Sequence, residues 1–303
     1  MEKSKTVSLV LSSGGARGLA HVGVIEELEN RGYHIAEIAG CSAGALVGGM
    51  HAAGKLGQFK DWICHLDRLD VFSLMDFTFS SRGFIKGEKV YNALKNVVPD
   101  CQIEDLEIPF SCNAVNAITG KEIIFRKGSL YEAIRASGSI PSVFVPALVG
   151  KNSLIDGGVL NPIPISLLRN RKDHLLLVVD VNGLDSEFVE PPKKDPSGNS
   201  YLKIPQWLKD YKAKMGQYFP EEKIVAKEPS YSSFNLLKRS FDLLQDRFCE
   251  LVLQQYPVDV LVKLSRKQAG TLEFHRAAEL IEIGRQKAIL ALDEWENANL
   301  RTE

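Results

Sequence analysis

The sequence predicts an α/β fold whose sheet contains parallel strand pairs. Three observations carry that expectation. An apolar run at residues 6–11 leads into a Gly-rich loop and then an apolar-periodic helix. A second short apolar run at 34–39 leads into Gly40-Cys41-Ser42-Ala43-Gly44 and a small-residue helix. Short apolar runs and helical patterns keep alternating through the middle of the chain. Strand, loop, helix, strand, sharp turn, helix is the order in which parallel neighbours are built.

The elements follow in order. Residues 6–11 read as a buried first strand. The first helix runs through Leu19, Val22, Ile25 and Leu28 and stops at Arg31-Gly32, a usual helix end. After the strand at 34–39, the small-residue helix continues to about Gly54. Asp61–Leu69 and Glu88–Val97 look helical, and Pro109–Ala117 and Glu122–Phe125 look like strands. Ser129–Ala136 reads as a short helix. The Pro-punctuated segment from Ser137 to Pro146 follows, then Ser153-Leu154-Ile155-Asp156-Gly157-Gly158. Leu175–Val181 is a strong buried strand and Val258–Leu264 a later one. Between them, residues 184–230 change character. Pro191-Pro192-Lys193-Lys194-Asp195-Pro196 opens a linker, and Trp207, Tyr211, Tyr218 and Phe219 follow among lysines. Phe234, Leu237, Phe241, Leu244, Phe248 and Leu251 keep a 3-4 spacing, the mark of an amphipathic helix. A last helix covers about 276–296. There is no internal repeat.

Composition sets bounds and names no partner. The 303 residues are 45% apolar and 25% charged, with a formal net charge of −1. These values suit a globular chain able to bury a large core. A dedicated nucleic-acid binder would show a basic excess, so none is expected here. Five scattered cysteines without a C-x-x-C spacing exclude a disulfide framework or zinc site and fit a cytoplasmic protein with reduced thiols. No apolar run reaches the ~18–20 residues that span a bilayer. Oligomeric state is not legible.

The chemistry lies in short motifs. Gly40-Cys41-Ser42-Ala43-Gly44 has the Gly-x-Ser-x-Gly form of a nucleophile elbow, in which a tight strand-to-helix turn exposes the central serine. The amides after it open a helix, where the dipole favours developing negative charge. The loop Ser13-Gly14-Gly15-Ala16-Arg17-Gly18 lacks the Gly-Lys-[Ser/Thr] ending of a P-loop and the first glycine of a dinucleotide fingerprint. Its consecutive amides suit an oxyanion formed at Ser42. The Arg17 side chain has two equal readings, a catalytic cation or a structural tie. A serine hydrolase of the triad kind needs a histidine base, and only His174 and His275 follow Asp156 in the order Ser…Asp…His. Neither has a site-like context. Asp156-Gly157-Gly158 offers a carboxylate instead, or else an ordinary turn.

Taken together and in order, these motifs, with Ala136-Ser137-Gly138-Ser139-Ile140-Pro141-Ser142-Val143-Phe144-Val145-Pro146, resemble the bacterial branch of the patatin-like phospholipase family. The resemblance covers roughly residues 6–182, with weaker support through 231–264 and the C-terminal helix. It implies a three-layer α/β/α sandwich with a largely parallel central sheet, related to cytosolic phospholipase A2. It implies cleavage of lipid acyl esters by a Ser–Asp dyad without a catalytic histidine, cofactor or metal. Carried over by position, Ser42 is the nucleophile and Asp156 the base. The amides of Gly14, Gly15, Ala16 and Arg17 form the oxyanion hole. Two positions depart from the family pattern. Ser13 stands where the first loop glycine is expected, and Cys41 where threonine often precedes the nucleophile. The expected organisation is one catalytic domain over 1–303, with a lid or loop excursion at 184–230 and a helical segment at 265–303. The expected partner is a lipid or acyl ester, with the excursion as a membrane-facing surface or as packing over the core. A His-dependent esterase or thioesterase, an acyltransferase and a non-enzymatic lipid binder remain the other readings.

Overall fold

A computed structural model describes residues 5–80, 83–169, 174–183, 188–189 and 233–300. The chain divides into two compact units, Met1–Pro191 with Phe241–Glu303, and Pro192–Ser240. All that follows concerns the first. Apart from Phe188 and Val189, the excursion at 184–230, with Trp207, Tyr211, Tyr218 and Phe219, lies outside the described residues.

The core of this unit is an eight-stranded sheet in the order β10 (Val260–Ser265), β9 (Leu175–Gly183), β1 (Thr6–Leu11), β2 (His34–Cys41), β5 (Phe110–Asn116), β8 (Asn152–Asp156), β7 (Ala147–Val149). β6 (Glu122–Phe125) also pairs with β5. From β10 to β5 every pairing is parallel, and β6, β7 and β8 add antiparallel pairs. The sheet is mixed and mostly parallel, as the sequence implies.

The parallel strands are buried on both faces, which is why they read as continuous apolar runs. Val7, Leu9, Leu11, Leu177, Val179, Val181, Val260 and Val262 enter the main core. That side is covered by α1 (Ala20–Asn30), α2 (Ala43–Ala52) and α8 (Ala277–Leu300). The alternate residues Val10, Ala39, Leu176 and Val178 enter a second core with Ile163, Ile165, Leu167 and Cys249, the last from α7 (Ser233–Gln255). The period-2 split of one strand between two cores defines three layers, α/β/α.

One expectation needs correction. The helix expected over Asp61–Leu69 is two helices, α3 (Leu56–His65) and α4 (Arg68–Leu74). Asp67 breaks it by starting α4 with a capping box. Its carboxylate accepts from the amides of Leu69 and Asp70, and Asp70 accepts from the Asp67 amide. The hairpin β3 (Phe77–Ser80) and β4 (Gly83–Ile85) and the short β7 are further elements that the sequence pattern does not reveal. α5 (Glu88–Val97) and α6 (Leu130–Ser137) complete the unit.

Candidate active site

The sheet itself brings the two key residues together. β5 has two edges, and β6 covers one of them over Cys112–Val115. β2 pairs with Phe110–Asn113 and β8 with Ala114–Asn116, so both overlap the stretch taken by β6. Both must therefore lie on the opposite edge, one after the other. They run toward each other and end at Cys41, opposite Asn113, and at Asp156, opposite Ala114. Ser42 follows Cys41 directly. Two strands meeting head to head place residues 114 apart in sequence at hydrogen-bond distance.

The Ser42 hydroxyl donates to Asp156 Oδ2 at 2.6 Å, and both residues are buried. Asp156 Oδ1 accepts from the Gly158 amide at 2.7 Å, with the Cys41 thiol at 4.0 Å. Burial raises the Asp156 pKa to about 6, against the opposing pull of the Ser42 and Gly158 hydrogen bonds. A carboxylate near 6 is a far better proton acceptor at neutral pH than one near 4. Ser42 has φ 54° and ψ −116°, a left-handed conformation that residues with a Cβ seldom adopt. Its own amide donates to Ser137 Oγ at 2.8 Å, and the Asp156 amide donates to Ser139 O at 2.9 Å. The Ser137-Gly138-Ser139 segment thus ties down both members of the pair.

The glycine loop is equally pinned. Ser12 N reaches Val179 O, Ser13 N reaches Pro162 O, and Asn182 Nδ2 donates to Ser13 O at 2.6 Å. Gly15 has φ 58°, and a Cβ there would lie 2.6 Å from Thr271 O. Ser13 is not in a positive-φ conformation, so it substitutes for glycine without strain. Gly15–Leu19 form a 3-10 turn that runs into α1, and Gly15 borders the same cavity as Ser42 and Ala43. Ala16 N donates to Thr271 O at 2.9 Å, so of the four expected oxyanion donors this amide is already engaged. The amides of Gly14 and Gly15 have no acceptor among the described residues.

The buried Arg17 side chain resolves toward the structural reading. It donates to Val181 O, Ala269 O and Asn182 Oδ1 at 2.9–3.0 Å. Burial lowers its pKa to about 10, which leaves it charged at neutral pH. Gln245 on α7 donates to Gly158 O at 3.0 Å and approaches Ser13 Oγ, linking the aspartate turn to the loop. Sequence reasoning missed Ser137, Ser139, Asn182, Gln245 and Thr271 as supports. Only Ser137 and Ser139 sat inside a motif that could have signalled them.

No histidine hydrogen-bonds Ser42 or Asp156 among the described residues. His174 Nδ1 lies 3.0 Å from Ser8 Oγ, just before the start of β9, whereas Ser42 follows the end of β2. His275 sits in a 3-10 turn beside Phe274. His21 is buried, its Nε2 3.0 Å from Ser12 O, and desolvation holds its pKa down at about 4.

Ser42 opens into a cavity of about 130 Å³. Its walls are apolar, with Leu46, Phe59, Trp62, Leu94, Ile140 and Phe274 among the lining residues, and among the described residues no charged side chain borders it.

An α/β/α fold with a serine on a nucleophile elbow, facing a buried aspartate above an apolar cavity, defines a class of protein. The chain belongs to the patatin-like phospholipase family, whose model matches residues 9–169. Uncharacterized NTE family proteins of Mycobacterium tuberculosis and Mycobacterium bovis are 33% identical over 341 positions, covering 97% of this chain and 93% of theirs. Lysophospholipase NTE1 of Cryptococcus neoformans is 32% identical over 187 positions, 59% of this chain and 11% of that far longer one. The crystal structure of VipD from Legionella pneumophila shares the fold, with TM-score 0.57 and 15% identity over 96% of this chain and 67% of that chain. Among the described residues no helix is long and apolar enough to cross a membrane.

Proposed function

We propose that the protein hydrolyses lipid acyl esters with Ser42 as nucleophile and Asp156 as base, a phospholipase A or lysophospholipase type of reaction. The observation that carries this reading is the 2.6 Å hydrogen bond from Ser42 to a buried carboxylate beside an apolar cavity. The family membership and the lysophospholipase names among relatives support it.

Ser42 Oγ attacks the ester carbonyl carbon and its proton passes to Asp156. The amides of Gly14, Gly15 and Arg17, with the helix start at Ala43, receive the carbonyl oxygen as it gains charge. The carbon–oxygen bond to the alcohol breaks, and the alcohol takes the proton from Asp156. The acyl group is then held on Ser42. A water molecule gives a proton to Asp156 and attacks the acyl carbon. The fatty acid leaves, and the proton returns to Ser42 Oγ. The acyl chain lies in the apolar cavity, where burial stabilises it by about 0.8 kcal/mol per CH₂. The protein meets its substrate as a peripheral visitor to the inner membrane face.

The test is labelling by a fluorophosphonate probe together with turnover of a lysophospholipid and of a short-chain ester. Ser42→Ala and Asp156→Asn are each expected to lower turnover at least ~10³-fold, and Ser42→Ala to abolish labelling. Full activity in either variant overturns the assignment. Replacing His174 and His275 is expected to leave activity intact.

A further inference from the structure

The Ser13 carbonyl accepts two hydrogen bonds, from Asn182 Nδ2 at 2.6 Å and from Ser12 Oγ at 3.1 Å. Both donors are held in turn. The Val181 amide donates to Ser12 Oγ at 3.0 Å, and the one proton of that hydroxyl goes to Ser13 O. Arg17 Nη2 donates to Asn182 Oδ1 at 2.9 Å. A guanidinium has donors and no acceptor, so it takes the oxygen end of the Asn182 side chain. The nitrogen end is then left for Ser13 O, which can only accept. The backbone amide of Asn182 donates to Asp180 Oδ1 at 2.9 Å. Ser12, Ser13, Arg17 and Asn182 are all buried.

The same peptide unit carries the amide of Gly14. A trans peptide is planar, with its C=O and N–H on opposite sides. Two bonds that fix Ser13 O therefore also fix the direction of the Gly14 N–H, away from Asn182. Gly14 is buried, and its amide has no acceptor among the described residues. A buried backbone N–H in that state is rare. One end of the peptide is doubly satisfied and the other is left open for an incoming oxygen. Donation to the carbonyl also polarises the peptide and strengthens its N–H as a donor. Behind Asn182 stands a buried cation. The acceptors of Arg17, Val181 O, Ala269 O and Asn182 Oδ1, are neutral oxygens. Asp180, Asp242 and Asp246 act on it at a distance, against Arg266.

We propose that Asn182 is a positioning residue of the oxyanion hole. Anchored by Arg17, it holds Ser13 O so that the Gly14 amide is aimed and polarised for the oxygen that gains charge as Ser42 attacks. This rests on the ester-hydrolase reading above and adds to it a residue that belongs to none of the sequence motifs.

The test uses Asn182→Asp and Asn182→Ala. The first keeps the shape and the bond from Arg17 and deletes the donor to Ser13 O. The second deletes both. Turnover of a short-chain ester is measured per active site, with sites counted by complete fluorophosphonate labelling. A trifluoromethyl ketone supplies the second readout. Ser42 Oγ adds to its carbonyl carbon, the serine proton passes to Asp156, and the oxyanion that forms has no leaving group to expel. Both variants are expected to lower kcat per site at least about tenfold and to keep KM within about twofold. The inhibition constant of the ketone is expected to rise by the same factor as kcat falls. As an independent arm, Ser12→Ala removes the other donor to Ser13 O and is expected to move kcat and the ketone constant in the same ratio. Loss of folding alone lowers the number of labelled sites and leaves kcat per site and the ketone constant unchanged. That result overturns the proposal, as does a fall in kcat with an unchanged ketone constant. Ser42→Ala is the control for the reading beneath it. If that change leaves parental turnover intact, the hydrolase assignment fails and the role of Asn182 falls with it. If it abolishes turnover while the Asn182 variants match the parent, the role of Asn182 alone fails.

Discussion

Ser42 adopts a backbone conformation that costs about 1–3 kcal/mol and persists only where the surroundings enforce it. The bond from its amide to the buried Ser137 hydroxyl is one of the enforcing contacts. Ser137→Ala leaves a buried amide without a partner, a cost of about 1–3 kcal/mol. If that cost falls on the geometry of the nucleophile, kcat drops roughly tenfold or more while KM stays nearly constant. Ser137→Thr, which keeps the hydroxyl, is expected to restore most of the rate. Fluorophosphonate labelling should slow in parallel with kcat. A protein that is merely less stable would instead lose active fraction and label at the normal rate. With Asp156 as the proposed base, the sign of the pH dependence is fixed. Its pKa of about 6 means that kcat/KM rises as pH climbs through 6 and is flat above about 7. A pH–rate profile on a short-chain ester checks this, and a limb centred near 4 would contradict it.

At the level of elements, backbone proximity limits substitution most severely. Gly284 of α8 faces α1, and a Cβ there would lie 2.0 Å from Ala20 O. Gly23 of α1 would meet Ile281 O at 1.9 Å. Alanine improves helix propensity by about 1 kcal/mol, but forcing two packed helices apart costs about 1–3 kcal/mol and more where backbone is struck. Gly284→Ala is therefore expected to destabilise by about 1–2 kcal/mol in urea unfolding, whereas Gly57, with open space around it, should accept alanine. The same elements show what a sequence discloses. β1, β2, β5 and β9 were legible because parallel strands buried on both faces are unbroken apolar runs. β7 and the β3–β4 hairpin were not, since β4 and β7 have only three residues each and β3 takes its place by pairing with β4. The split between α3 and α4 hides inside a helical pattern and depends on the side-chain caps at Asp67 and Asp70. The serine, the aspartate and the loop stand out as motifs. Gln245, Asn182 and Thr271 do not, because their roles come from contacts across 87 to 255 positions of chain.

At the level of the whole unit, two buried groups pull stability in opposite directions as pH changes. Asp156 is raised from 3.8 to about 6 in the fold, so between those values the folded state holds more protons than the unfolded one. Its contribution to stability therefore falls as pH rises from about 4 to 6, by roughly 3 kcal/mol at most. His21 is lowered from 6.5 to about 4, so its contribution rises with pH over nearly the same window. The two trends largely offset one another. Asp156→Asn removes one of them. The variant is expected to be more stable than the parent at pH 8, by about 1–3 kcal/mol, and to lose that advantage as pH falls toward 4. Thermal melts at pH 4, 6 and 8 read this directly.

The head-to-head meeting of β2 and β8 on one edge of β5 also governs when the chain can become reactive. Ser42 acquires its carboxylate only after β5 has joined β2 and β8 has docked beyond it, in the correct register. A slip of one residue would turn Asp156 to the opposite face of the sheet. On the proposed mechanism, an intermediate without the β5–β8 pairing holds Ser42 without its carboxylate and is inert toward esters. On that mechanism ester turnover during refolding is expected to appear only once β8 has paired with β5, so the reaction reports when that long-range contact forms.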